Sequence, residues 1–236
     1  MKEIEVILVD IGNSSIKITE VIHGEFGETR KLDNLLELAN SNDQIPLMIS
    51  SVKNIDLKVF GSRDVKLLLH NSPMPITLDY ETPETLGPDR IAAAVGANEL
   101  FPKHNNLIVD LGTCMTIDLV DMSAVFRGGI ISPGLKMRMT AMAKFTDKLP
   151  DISSEFGEIN FNVLGKSTKE CLYSGSLGGI LNEINGVVRT LSKDFTSLNT
   201  IITGGDAHFF ESKLKAHIFA GSKIVQKGLY RIWKYH

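Results

Sequence analysis

Two aspartates close apolar runs in this chain, Asp10 in VILVDIGNSS and Asp110 in LIVDLGTCMT, and each is followed by x-Gly and then a hydroxyl side chain. An ionised carboxylate only accepts hydrogen bonds, so beside a phosphate it needs a cation in between. Glycine lets backbone N–H groups come close to a phosphate without a Cβ in the way, a job open to Gly12 and Gly112. Asn13, Ser14 and Thr113 add side-chain donors. Turn chemistry alone explains one Asp-x-Gly after a strand. Its return 100 positions later points to two loops facing one polyphosphate and its metal ion.

A third glycine loop, TGGDA at residues 203–207, follows an apolar strand, where a flat base can slide over bare backbone. As a plain turn it would use Asp206 as a helix cap. In the order phosphate, phosphate, adenosine, the three loops match the nucleotide site of the actin, hexokinase and Hsp70 type. TLGPDRIAAAVGA puts Asp89 and Arg90 in the first turn of an apolar helix. The helix dipole favours Asp89 there but not Arg90, unless the guanidinium clamps an anionic substrate. Asp89 would then stay ionised, ready to orient or deprotonate an attacking hydroxyl.

Other motifs fall away. LGKST lacks the first glycine of a P-loop, because position 160 is Asn160. The six histidines show no ligand spacing and read as scattered surface residues. Met137, Met139 and Met142 read as core packing or as a dimer face beside a substrate pocket.

The elements that must carry these residues follow from hydrophobic period. Ile4 to Val9 and Ser15 to Ile22 read as two strands, and GEFGETR as a turn with a third, more polar one. A helix with Leu32, Leu35, Leu36 and Ala39 follows, then strand IPLMISSV, a short helix from Ile55 to Phe60 and strand VKLLLHN. A helix starting near Pro88 carries Ile91, Ala94, Val95 and Leu100 as an apolar stripe. PKHNN is the best boundary, dividing the chain into halves 1–104 and 105–236. Beyond it come strands at Leu107 to Asp110, Met115 to Val120 and Ala124 to Ile131. Helices from Leu135 to Phe145 and Ser174 to Phe195, strand TIIT and a helix from Val225 to Trp233 complete the chain. This is an α/β chain with two ribonuclease-H-like halves and, by expectation, a nucleotide cleft between them.

Length and composition agree. A chain of 236 residues accommodates two halves of about 110 residues. With 25 Lys and Arg against 28 Asp and Glu, and 43% hydrophobic residues, it has neither the basic excess of a nucleic-acid binder nor the polarity of a disordered segment. Cys114 and Cys171 are the only cysteines, without metal or disulfide spacing, and read as small apolar packing residues in a reducing compartment. No apolar run suits a leader or a membrane span, so a cytoplasmic protein acting on a small molecule is expected.

The ordered set DIGNSS, GPDR, DLGTCMTID, GGIISPG, GKSTKECLYSG and TGGDA, spread over nearly the whole chain, resembles the type III pantothenate kinases. The resemblance implies ATP-dependent phosphorylation of the terminal hydroxyl of pantothenate, the first step of coenzyme A synthesis. It also implies an acetate-and-sugar-kinase/Hsp70/actin fold, a homodimer, magnesium or a similar divalent cation with ATP, and potassium or ammonium. Carried over by position, the first phosphate loop comprises Asp10, Ile11, Gly12 and Asn13, continuing through Ser14, Ser15, Ile16 and Lys17. Asp89 becomes the catalytic base within a substrate loop of Gly87, Pro88, Asp89 and Arg90, and Tyr80 a further substrate contact. Asp110 becomes the potassium ligand, Thr113 a phosphate contact, and Thr168 a pantothenate contact near the dimer interface. Ser14 replaces the family's usual threonine, and Cys114-Met115 its usual Ala-Thr. Competing expectations are a nonenzymatic ATP-binding regulator of the transcription accessory-factor type and a same-fold kinase of a sugar or another small alcohol.

Overall fold

The computed structural model describes residues 4–41, 44–155, 162–211, 213–214, 218–221 and 223–235. Two compact units emerge: one of residues Met1–Lys103, Val120–Gly128 and Ser222–His236, the other of His104–Leu119 and Gly129–Gly221.

In the first unit β1 (Val6–Ile11) pairs antiparallel with β2 (Ile16–Ile22), and β2 pairs in turn with β3 (Glu25–Phe26) and β4 (Arg30–Leu32). The expected third strand is therefore two short ones, interrupted by a turn at Gly27, whose N–H donates back to Glu20 O (2.9 Å). After α1 (Leu36–Ala39), β5 (Leu47–Ser51) lies parallel to β1, and β6 (Val65–Leu67) parallel to β5. The short helix expected at Ile55 to Phe60 is a 3₁₀ turn over Leu57–Phe60, capped by the Asp56 carboxylate accepting from Lys58 N–H (3.0 Å). β7 (Thr77–Leu78), unforeseen from sequence, is too short to have a period.

Alternation along the strands divides this sheet cleanly. Ile7, Val9 and Ile11 of β1 join Leu47 and Ile49 of β5 in one buried cluster. Leu8, Asp10, Met48 and Ser50 therefore point to the other face. That face is covered by α2 (Pro88–Leu100) and α6 (Ile224–Tyr235). The two helices touch backbone to backbone at Gly96 and Gly228, where a Cβ on either would run into the other helix. Rather than showing one apolar stripe, α2 is buried all round from Arg90 to Ala97, and Leu100 is exposed at its end. Alanine and glycine make this possible, because only small side chains let a helix be enclosed on every side.

The second unit repeats the plan. Its sheet runs β12-β11-β8-β9-β10, with β8 (Asn105–Leu111), β9 (Cys114–Val120), β10 (Val125–Pro133), β11 (Leu198–Thr203) and β12 (Ile218–Ala220). The first unit has the matching order β6-β5-β1-β2-β3 when read from the same end. In both, the strand bearing the aspartate is flanked by its hairpin partner and by a parallel strand. The first residues of β10, which belong to the first unit, pair in parallel with β7.

α3 (Leu135–Lys144) begins right after Gly134, with Met139 buried, Met142 packed on the core and Met137 partly exposed. The long helix expected from Ser174 starts earlier, as α4 (Thr168–Tyr173), then one π turn over Ser174–Gly178, then α5 (Gly179–Leu191). STKE explains the early start: Ser167 Oγ accepts from Glu170 N–H (3.3 Å), and the Glu170 carboxylate accepts from Lys166 N–H (2.6 Å), close to a capping box. Cys114 is half-buried, but Cys171 is exposed on α4, against the expectation that both pack as apolar side chains. His23, His70, His104 and His208 are exposed as expected, whereas His217 and His236 lie outside the described residues.

Candidate active site

In the first unit β1 delivers Asp10 to the end of a sheet, and the chain turns back through exposed Asn13 and Ser14 into β2. Gly12 N–H closes this turn on Ser15 O (3.0 Å). The glycine's own amide is thus taken up by the fold, so the Gly12 N–H is not the free phosphate donor that the sequence left open to it. A Cβ on Gly12 would meet nothing nearer than 3.6 Å, so internal packing does not demand a glycine there.

Burial, partly offset by the Lys17 ammonium and reinforced by the Asp89 carboxylate, pushes the Asp10 carboxyl up to about 6. Asp10 and Asp89 are therefore close enough to feel each other's charge, with the Lys17 ammonium also acting on Asp10. Asp89 sits in the first turn of α2, where its Oδ1 accepts from Arg90 N–H (2.9 Å). Pro88 occupies the first position of α2, where its missing N–H costs nothing.

Arg90 is 7% exposed rather than reaching into solvent, and its guanidinium lies over the Phe126 ring, 5.9 Å from the centroid. Tyr80 meets the same ring edge-on at 6.0 Å. Phe126 thus joins two proposed substrate contacts that are ten positions apart in sequence. It sits in no motif, and only its apolar type before RGG hinted at a core role. Two further links hold this corner: Asp79 N–H donates to Phe126 O (3.0 Å), and Arg127 bridges Asp79 (2.9 Å) and Asp121 (2.7 Å).

The second unit holds the other loops together by backbone. β8 ends beside a two-residue turn at Gly112 and Thr113, with Gly112 N–H donating to Cys114 O (3.1 Å). Gly134 N–H donates to Thr113 O (3.2 Å), and a Cβ on Gly134 would strike the Gly112 and Thr113 carbonyls. The TGGDA loop closes on the same strand end, with Asp206 N–H donating to Leu111 O (3.0 Å). Gly204, at φ +99°, lies against Leu111 too tightly for any side chain. Asp110, Thr113 and Asp206 therefore cluster, with Ser132-Pro133-Gly134 as a prop whose link to them is not visible in the sequence motifs. Asp206 stands at the start of a 3₁₀ turn without a side-chain capping bond, and burial raises its pKa against the influence of His208. Thr168, the first residue of α4, is exposed.

The type III pantothenate kinase family model matches residues 6–190. A type III pantothenate kinase of Cytophaga hutchinsonii is 42% identical, over 98% of this chain and 99% of its own length. One from Phocaeicola vulgatus is 38% identical, over 98% of each. Among solved structures, a Campylobacter jejuni protein described as a Baf family transcriptional activator superposes with a TM-score of 0.66 at 22% identity, covering 97% of both chains. A Listeria monocytogenes protein described as an N-acetylmannosamine kinase gives 0.54 at 13% identity, covering 97% of this chain and 98% of its own. These structural likenesses speak for the fold alone, an α/β architecture of two ribonuclease-H-like halves. On the family match and the near full-length relatives, the chain belongs to the type III pantothenate kinases, which phosphorylate pantothenate in coenzyme A biosynthesis.

Proposed function

We infer that Asp89 is the general base of this phosphoryl transfer and that Asp10 serves the nucleotide's divalent cation. The observation that carries this reading is the placing of a buried carboxyl, Asp10, at the end of β1: burial raises its pKa to about 6, against the Lys17 ammonium and with a lesser contribution from the Asp89 carboxylate. Such a carboxyl is relieved by a cation held between acid and phosphate. Among the described residues no group of three His, Cys, Asp or Glu side chains forms a metal nest. That suits magnesium, which takes one or two carboxylates and fills its shell with phosphate oxygens and water. When bound with ATP, the divalent ion neutralises charge on the transferred phosphoryl group.

The chain's own residues then have separable tasks. Asp89 takes the proton of the terminal pantothenate hydroxyl as that oxygen attacks the γ-phosphorus and ADP departs. Its Oδ1, anchored on the start of α2, fixes the direction of the carboxylate. Arg90, Tyr80, Gly87 and Pro88 form the pantothenate contact, with Phe126 as the floor that holds Arg90 and Tyr80. Asn13, Ser14, Ser15 and Lys17, between the strand ends Ile11 and Ile16, contact ATP. In the second unit Thr113 contacts phosphate, Asp110 holds potassium or ammonium, and Thr168 contacts pantothenate near a homodimer interface. Exposed Ile131, Met137 and Phe145 support such an interface. The functional halves 1–104 and 105–236 each carry one phosphate loop, and a cytoplasmic location fits the two free cysteines.

The test is ATP-dependent phosphorylation of pantothenate against a panel of sugars and polyols, with and without potassium. The expected result is turnover of pantothenate alone, with Asp10→Asn shifting the magnesium dependence and Asp110→Ala the potassium dependence. Turnover confined to a sugar, or wild-type ion responses in both variants, would overturn these assignments.

A further inference from the structure

We propose that Ser50 is a positioning residue for Asp10, holding that carboxylate in the orientation that receives the metal-nucleotide. Ser50 is 0% exposed, and its Oγ has no hydrogen-bond partner among the described residues. Buried hydroxyls are nearly always paired, so an orphan calls for an explanation. Alanine would fill the same place with no hydroxyl to satisfy.

The neighbourhood supplies the explanation. Ser50 is the register partner of Asp10 across the parallel β1/β5 pair. Adjacent strands lie about 4.8 Å apart, and register partners point to the same face, so the two side chains are neighbours. Leu8 and Met48 precede them on that face, which α2 covers, and α2 brings Asp89 to Asp10. Rotation about χ1 of Ser50 turns its O–H toward the Asp10 carboxylate, the nearest group in register that can accept it. A hydroxyl donating to one carboxylate oxygen leaves the other to face an ion, which is how partners behind a metal-binding carboxylate set its geometry.

The second unit offers an independent parallel. There Asp110 is in register with Thr203 on β11, so in both halves the strand-end acid has a hydroxyl residue beside it on the neighbouring parallel strand. The other hydroxyl residues in these strand pairs, Ser51 and Thr200, face the aliphatic Ile11 and Leu107, so a hydroxyl residue beside an acid occurs only at the two strand ends.

This inference rests on Asp10 serving the divalent ion, and the experiment separates the two ideas. Ser50→Ala, Ser50→Thr and Asp10→Asn are compared by unfolding of the unliganded protein and by calorimetric affinity for ATP with magnesium and with EDTA. The expected result for Ser50→Ala is an equal or higher melting temperature, about tenfold weaker binding of ATP with magnesium, and unchanged binding in EDTA. Ser50→Thr, which keeps the hydroxyl, should recover most of the loss. If Asp10→Asn loses the magnesium-dependent affinity while Ser50→Ala keeps it, the role of Ser50 is overturned and that of Asp10 stands. If Asp10→Asn itself keeps wild-type magnesium-dependent affinity, both fall.

Discussion

Asp10 and Asp89 illustrate how the same residue type takes different roles from its surroundings. Asp89 rests on a helix N-terminus, which supports its charge. Replacing it with Asn keeps an oxygen for Arg90 N–H but removes the base, so turnover should fall about a hundredfold or more while the fold and ATP affinity persist. Rapid-mix kinetics alongside nucleotide binding measures this, and near-wild-type turnover would reduce Asp89 to a helix-end residue. Asp10 is buried where its charge is disfavoured, with a pKa raised from 3.8 to about 6. Below the unfolded value both states are protonated and no penalty arises. As pH rises through the window from about 4 to about 6, the unfolded chain ionises first and native stability declines. At neutral pH the loss approaches an upper bound of roughly 3 kcal/mol, from ~1.4 kcal/mol per pKa unit. In metal-free buffer Asp10→Asn should therefore be more stable than wild type at pH 7.5, with the gap narrowing toward pH 4.5. Equal denaturation midpoints at pH 7.5 would show that the Asp10 charge is not costly.

At the scale of elements, the sequence disclosed strands and helices wherever period and capping were strong. VILVDIG gave its strand end, and GPDR placed Pro88 at the first helical position, as the structure has it. Where local signals conflicted it misled: STKE carried a helix start that the rejected P-loop motif obscured. The prop under the second phosphate turn was illegible for another reason, since it depends on a contact between distant helices. Arg138 on α3 donates through Nε to Pro133 O (2.8 Å) and through Nη2 to Ser132 Oγ (2.9 Å), and pairs with Glu183 on α5 (2.5 Å). Gly134 passes that restraint to Thr113 through the bond from its N–H. Arg138→Met keeps much of the side-chain bulk but no donors, so the turn should loosen. The KM for ATP should rise by roughly tenfold with that for pantothenate little changed, because small displacements of positioning groups are expensive. Steady-state kinetics in both substrates decides it, and an equal rise in both constants would make Arg138 a general stability residue.

For the molecule as a whole, the internal repeat was the most legible feature and also a source of oversimplification. Two Asp-x-Gly loops implied twin halves, and the strand orders agree around β1 and β8. The twins differ in detail, because the first turn spans four residues between Ile11 and Ile16 and the second only two between Leu111 and Cys114. The shorter turn has fewer backbone groups to offer a ligand. The second unit also exposes large apolar side chains that a lone copy has no reason to keep in water, Ile131 at 63% and Phe145 at 79%. Ile131 lies near the end of β10 and Phe145 caps α3, so both ends of the segment that props the phosphate turn are apolar and uncovered. A second copy burying this surface would draw on the hydrophobic effect, at about 25 cal/mol per Å² of apolar area. Wild-type protein should therefore sediment as a dimer at micromolar concentration, and Ile131→Asp combined with Phe145→Asp should sediment as a monomer. Because Thr168 is assigned to pantothenate near that interface, the monomer should also show a raised KM for pantothenate. Analytical ultracentrifugation followed by kinetics on the same samples provides the test. A monomeric wild type would refute the dimer, and a double variant that still dimerises would move the interface to another face.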